Sequence, residues 1–216
     1  MRNKFDMQLE LLNEKLTHMG ELCEVAINRA TCALQKGDMK QAHDVMEADE
    51  EIDHMEKEIE SLCLKLLLQQ QPVARDLRQI SAALKMITDM ERIGDQAADI
   101  SEVTIHLIET GYKKDLEHIK KMAAETTCMV VQSVEAYVEK DEAKARDVIE
   151  HDDIVDDLFI KARGDVIDLI RSNPEEGACA TDLLMIAKYF ERIGDHACNI
   201  AEWVIFSITG EHEKKK

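Results

Sequence analysis

Glu91-Arg92-Ile93-Gly94-Asp95 recurs as Glu191-Arg192-Ile193-Gly194-Asp195, 100 residues further along a chain of 216. The match extends past the pentapeptide, because Ala97, Ile100 and Glu102 have counterparts in Ala197, Ile200 and Glu202. Self-similarity of this kind restricts the chain to architectures made of two copies of one unit. Both copies must then build their cores from the same apolar faces.

Those faces are helical. Phe5, Leu9, Leu12, Leu16, Met19, Cys23, Ala26, Ala30 and Ala33 advance by fours and threes, which predicts a helix from about Asn3 to Gln35. Lys36-Gly37-Asp38 interrupts it, with Asp38 placed to cap the next helix. Val45, Ile52, Ile59 and Leu66 give the second helix its core face, and Gln69-Gln70-Gln71-Pro72 ends it. A third helix runs from about Ala74 to Glu109 and stops at Thr110-Gly111. The pattern then restarts. Ile119 and Met122 stand for Leu16 and Met19, Glu139-Lys140-Asp141 for Lys36-Gly37-Asp38, and Asp147-Val148-Ile149-Glu150 for Asp44-Val45-Met46-Glu47. The offset is 103 residues here and 100 at the pentapeptide, so a three-residue difference falls in the connection between the second and third helices. With only eight Gly, two Pro and 4% aromatic residues, the chain is poor material for sheets. The expectation is an all-α protein of two tandem three-helix bundles, residues 1–111 and 112–216, with six long antiparallel helices.

A net charge of −18 opposes association with nucleic acid or anionic lipid and favours cations and basic protein surfaces. No apolar run approaches the ~20 residues of a membrane span, and the N-terminus lacks the apolar core of a signal peptide. The six cysteines contain no C-x-x-C pair and read as reduced, buried small hydrophobes, which favours a cytoplasmic setting.

The acidic residues are placed with more order than their number requires. Turning about 100° per residue from Ile93, Met86, Met90, Ala97, Ile100 and Thr104 form a core stripe, and Glu91, Asp95 and Asp99 fall on the far side. The second copy supplies Glu191, Asp195 and Asn199. Second helices carry a further pair in each unit, Asp49 with Asp53 and Asp152 with Asp156, beside the core stripe. If the second and third helices are neighbours, four or five carboxylates meet once per unit, which requires solvation, protonation or cations. A solvated acidic face and a patch for a basic partner are the simpler readings. Recurrence of both pairs in register raises metal binding to a level with these readings, and oxygen donors suit Mg²⁺, Ca²⁺, Mn²⁺ or carboxylate-bound iron. Gly94 and Gly194 each cost a helix about 1 kcal/mol relative to Ala, so close approach of a neighbouring helix is expected there. Arg92 and Arg192 are expected to form salt bridges within their own units.

Weaker signals include Glu51-x-x-His54, which has the spacing of a di-iron ligand pair but meets Ile154 and Asp157 in the second unit. His196 and Cys198 adjoin the second motif, where the first has Gln96 and Ala98, and read as packing or surface residues. Phosphate-binding glycine loops and nucleophile elbows are absent. Lys214-Lys215-Lys216 reads as a frayed tail.

The stretches Glu91 to Ile100 and Glu191 to Ile200, with Asp49-x-x-Ile52-Asp53 and Asp152-x-x-Val155-Asp156, resemble the PhoU family of phosphate-signalling regulators. The resemblance covers essentially the whole chain. It implies two tandem three-helix bundles and a non-enzymatic, cytoplasmic regulator that negatively controls phosphate uptake and starvation signalling. Implied partners are the ATPase subunit of a phosphate ABC transporter, a phosphate sensor histidine kinase and, as a homodimer, a second copy. It also implies metal clusters of iron, zinc, manganese or magnesium. Their ligands are Asp49, Asp53, Glu91, Asp95 and Asp99 in the first unit and Asp152, Asp156, Glu191, Asp195 and Asn199 in the second. Asn199 in place of Asp99 makes the second site one charge poorer. A metal-storage or di-iron-type bundle and a metal-free helical scaffold are the alternatives.

Overall fold

A computed structural model describes residues 2–69, 73–111 and 117–211. Its elements are α1 (Arg2–Lys36), α2 (Met39–Gln69), α3 (Ala74–Glu109), α4 (Glu117–Glu139), α5 (Glu142–Ser172), the 3₁₀ turn η1 (Pro174–Glu176) and α6 (Gly177–Thr209). Residues Gln70, Gln71 and Pro72 of the expected stop to α2, and the Lys214–Lys216 tail, lie outside the described residues.

The predicted stripes are buried with one shift. Leu12, Leu16, Met19, Cys23 and Ala30 are sealed from solvent along α1, as are Met86, Met90, Ile93, Ala97 and Ile100 along α3, but Ile27 takes the core place expected of Ala26, which with Leu9 is half-buried. Asp38 and Asp141, equivalent positions in the two units, accept hydrogen bonds from the Gln41 and Lys144 amides, each at 3.0 Å, and so start α2 and α5. Between α2 and α3 lie residues 70–73, whereas Asn173 alone separates α5 from η1, which locates the three-residue slip. Buried serine and threonine hydroxyls are satisfied within their own helices. Ser101 donates to Ala97 O at 3.0 Å and Thr104 to Ile100 O at 2.7 Å.

α2 packs on α1 and α3, and α5 on α4 and α6, so each unit has one outer helix. The four inner helices meet face to face through α3 with α6 and α1 with α4, and one apolar core runs through both units. His106 faces Asp182 and Asp89 faces Asn199, so α3 and α6 run antiparallel, with Gly94 level with Gly194. Exchanging the units preserves this register, which makes the chain an approximate two-fold. Tyr137 ties the halves together: its buried hydroxyl donates to Gln79 O at 2.9 Å.

The cysteines depart from expectation. All six are free, but only Cys23 and Cys63 are buried, and Cys128 is exposed. An apolar neighbourhood in sequence does not fix which side of a helix a residue occupies.

Candidate functional site

In the first unit the acidic face is assembled by contact of α2 with α3. The contact is close because Gly94 has no side chain. A Cβ there would lie 2.6 Å from Asp49 Oδ1 and 2.9 Å from Ile52 Cδ1. Asp49 is thereby pressed over the backbone of α3, half-buried, among Asp95, Asp53, Glu91 and Asp99. Burial first and these four carboxylates next push its pKa up from 3.8 to about 6. Burial and Asp95 also raise Glu91, opposed by Arg92. Arg92 stays within its unit, as expected, with Nη1 at 2.8 Å from Asp95 Oδ2 and Nε at 3.4 Å from Glu91 Oε2.

Asp99 lies at the edge of this face. Burial and Asp95 raise its pKa, while the charge of Arg192, from the other unit, lowers it. Arg192 thus acts across the α3–α6 seam and departs from the within-unit role expected of it. Glu56 joins the cluster unannounced by the pentapeptide, its pKa raised by burial, Glu60 and Asp53. It sits seven residues after Asp49 and three after Asp53, on the same side of α2, and that spacing was the available signal.

The second unit repeats the geometry with a different charge balance. Gly194 is less crowded, its missing Cβ lying 3.2 Å from Asp152 Oδ1 and 3.5 Å from Val155 Cγ1. Asp152 is again pushed up to about 6, by burial, then Asp156 and Asp195, with Glu191 adding a smaller push. Three substitutions reduce the charge here. Phe159 stands where the first unit has Glu56, Lys188 where it has Thr88, and Asn199 where it has Asp99. Lys188 pairs with Glu191 and lies over the Phe159 ring, 5.4 Å from its centroid. Asp156 and Asp195 are exposed. Asn199 is not gathered with them, since its amide donates to Asp89 Oδ1 of α3 at 3.0 Å. His196 shares that acceptor at 2.8 Å, so both residues serve the seam between the units.

The thiols nearest these faces are held protonated. Burial, reinforced by Asp49, pushes Cys23 up to about 12, and burial with Asp152 raises Cys198 strongly. Glu51 and His54 are exposed on α2, and His54 pairs with Glu58 at 3.1 Å. Among the described residues no three His, Cys, Asp or Glu side chains converge tightly enough to form a ligand sphere. The carboxylates make an oxygen-only basin, a donor set suited to hard cations.

Comparison with known proteins places this two-unit arrangement. The PhoU domain model matches residues 16–104 and again 119–204, once in each unit. The chain belongs to the PhoU family. A PhoU homologue from Clostridium acetobutylicum, named as a phosphate-specific transport system accessory protein, is 36% identical over 97% of this chain and 96% of its own. One from Pseudomonas aeruginosa with the same description is 32% identical over 96% of this chain and 86% of its own. The crystal structure of PhoU from Pseudomonas aeruginosa superposes with a TM-score of 0.90, covering 96% of this chain and all of that one, at 32% identity. That of the phosphate transport system regulatory protein PhoU from Streptococcus pneumoniae gives 0.89 at 25% identity, covering 98% of this chain and all of that one. Both support the six-helix PhoU fold. Among the described residues no helix is long and apolar enough to cross a membrane.

Proposed function

We propose that this chain is an accessory regulator of a phosphate-specific transport system, acting through protein contacts and without catalysis. It restrains phosphate uptake and the starvation response by docking on the transporter's ATPase subunit and on a phosphate-sensing kinase at the cytoplasmic side of the membrane. Its effect there is to favour one conformation of the partner. The names carried by relatives that match nearly its whole length support the phosphate connection.

The observation that carries the metal part of the proposal is Asp49, seated on Gly94 and surrounded by four other carboxylates. Asp49, Asp53, Glu91, Asp95 and Asp99 do not converge on one point as they stand; by turning their side chains inward they would hold a hard divalent or ferric cation in the first unit. Asp152, Asp156, Glu191 and Asp195 would bind one more weakly in the second, where Lys188 already supplies a positive charge. A cation held there would act electrostatically, offsetting the repulsion between the carboxylates of α2 and α3 and so stiffening the outer helix against the inner layer.

Three measurements test this reading. Chelator-free protein is analysed for metal, beside an Asp49→Asn, Asp95→Asn variant that should lose the first unit's share. Undiminished metal there would remove the site assignment. Deletion of the gene should raise phosphate-regulated transcription in phosphate-replete cells, and unchanged transcription would remove the regulatory role. Affinity purification from cells is expected to recover the transporter's ATPase subunit.

A further inference from the structure

We propose that a cavity between the two units, at the start of α3, binds a small phosphorylated anion. The cavity, about 380 Å³, is lined by Arg75, Arg78 and Gln79 of α3, by Tyr137 of α4 with the adjoining Lys140, and by Ser207 of α6. Its size suits a small molecule. In a chain of net charge −18, three cations and no carboxylate line it among the described residues. Among the described residues none of the three is ion-paired, and Arg78 Nε is buried with no hydrogen-bond partner. Gln79, 7% exposed, gives its backbone carbonyl to Tyr137 and makes no side-chain hydrogen bond among the described residues. Val73, the N-cap of α3, makes no side-chain hydrogen bond to the first turn of that helix, from which Arg75 reaches the cavity.

Cations also gather at helix C-termini for a simpler reason, to complement the partial negative charge of the last carbonyls. α4 and α6 both end at this cavity. The two-fold allows that explanation to be checked within the same chain, because α1 and α3 end in the equivalent junction at the opposite pole. The positions of Arg75, Arg78 and Lys140 are there taken by Glu175, Ala178 and Gly37. That junction has cations of its own, Lys36 and His106 in the last turns of α1 and α3, but His106 is paired with Asp182 and no guanidinium replaces Arg75 or Arg78, so two unpaired guanidinium groups go beyond what the helix ends are given at the other pole.

Lys140 adds a second contrast. Its φ is 57°, where the equivalent Gly37 has 65°. A left-handed backbone suits glycine and strains a residue with a side chain, and such strain collects at functional positions. The strained lysine occurs at the cationic pole, while the other pole keeps glycine. Two guanidinium forks and an ammonium group are the donor set that recognises phosphoryl oxygens, and the Gln79 amide adds a neutral donor. This pole is separate from the carboxylate faces, and binding here does not depend on them.

The test is calorimetric titration of the full-length, chelator-treated protein with inorganic phosphate and, separately, glycerol 3-phosphate at constant ionic strength. One saturable site per chain is expected for at least one probe. Tighter binding of inorganic phosphate identifies the free ion as the ligand, and tighter binding of glycerol 3-phosphate identifies an ester. Lys140→Gly, which copies the other pole, should weaken binding about tenfold or more while leaving the melting temperature unchanged or higher. Arg75→Ala, at an exposed position, should do the same without loss of fold. The proposal is overturned if neither probe binds at millimolar concentration, if binding survives both substitutions unchanged, or if it occurs only after metal is restored.

Discussion

Gly94 and Gly194 occupy the same place in the repeat, yet replacing each with alanine is expected to have opposite effects. In a helix interior the exchange by itself favours folding by about 1 kcal/mol. At Gly194 the new methyl would meet Asp152 Oδ1 at 3.2 Å and Val155 Cγ1 at 3.5 Å, contacts relieved by a few tenths of an ångström. Gly194→Ala should therefore be neutral or stabilising by up to about 1 kcal/mol. At Gly94 the methyl would overlap Asp49 Oδ1 at 2.6 Å and Ile52 Cδ1 at 2.9 Å, and Ile52 is fixed in the core with 2% exposure. Relief requires rotation of the Asp49 carboxylate or separation of α2 from α3, and overpacking of this kind costs roughly 1–3 kcal/mol. Gly94→Ala should thus be about 1 kcal/mol destabilising on balance, leaving the pair separated by about 1–2 kcal/mol. At roughly 2–4 °C per kcal/mol for a chain of this size, the Gly94→Ala protein should melt several degrees below Gly194→Ala. Thermal unfolding of chelator-treated variants followed by circular dichroism measures this directly. Equal melting temperatures, or a higher one for Gly94→Ala, would refute the steric asymmetry.

Three further outcomes are expected. Asp49 and Asp152 have pKa values raised to about 6, so the folded state binds protons more tightly than the unfolded chain. Metal-free stability should therefore rise as pH falls from 7.5 to about 5, by about 1 kcal/mol after allowance for solvent screening of these half-exposed groups. Asp49→Asn should remove part of that rise and stabilise the metal-free protein at pH 7.5; chemical denaturation at the two pH values would expose a gain of the opposite sign. Tyr137→Phe deletes a buried hydrogen bond between the units and should cost about 1–3 kcal/mol, with wild-type stability counting against the link. Lys188→Thr, which restores the first unit's residue, should tighten Mn²⁺ binding at Asp152 and Glu191, and unchanged calorimetric affinity would show that Lys188 does not act as an internal counter-ion.

Most of the architecture was legible because helical periodicity and repetition act locally. The stripes of α1, α2 and α3, the Asp38 cap and the stop at Thr110-Gly111 are encoded within a few turns of chain, and Gly94 signalled the close crossing that brings Asp49 to Asp95. What escaped was whatever depends on how helices and units face each other. Asn199 shares its helical face with Asp195, which led to its reading as a ligand, yet the α3–α6 packing turns its amide to Asp89. Arg192 was assigned to its own unit for the same reason, although its charge reaches Asp99. Lys188 became conspicuous only once α5 was laid against α6, bringing Phe159 beneath it. The exposed Cys128 shows the complementary limit: an apolar neighbourhood says nothing about which side of a helix meets the solvent.

The internal two-fold has a consequence for how another molecule can recognise this one. A dimer of identical subunits must present each surface twice, and a single partner can approach either copy with equal result. Joining the two halves in one polypeptide lifts that constraint, because each half can change alone. Glu56 against Phe159, Thr88 against Lys188 and Lys140 against Gly37 are such changes, and they give opposite ends and sides of a nearly symmetrical body unequal charge. A partner sensitive to charge can thus tell one docking orientation from its half-turn, although the backbone scarcely distinguishes them.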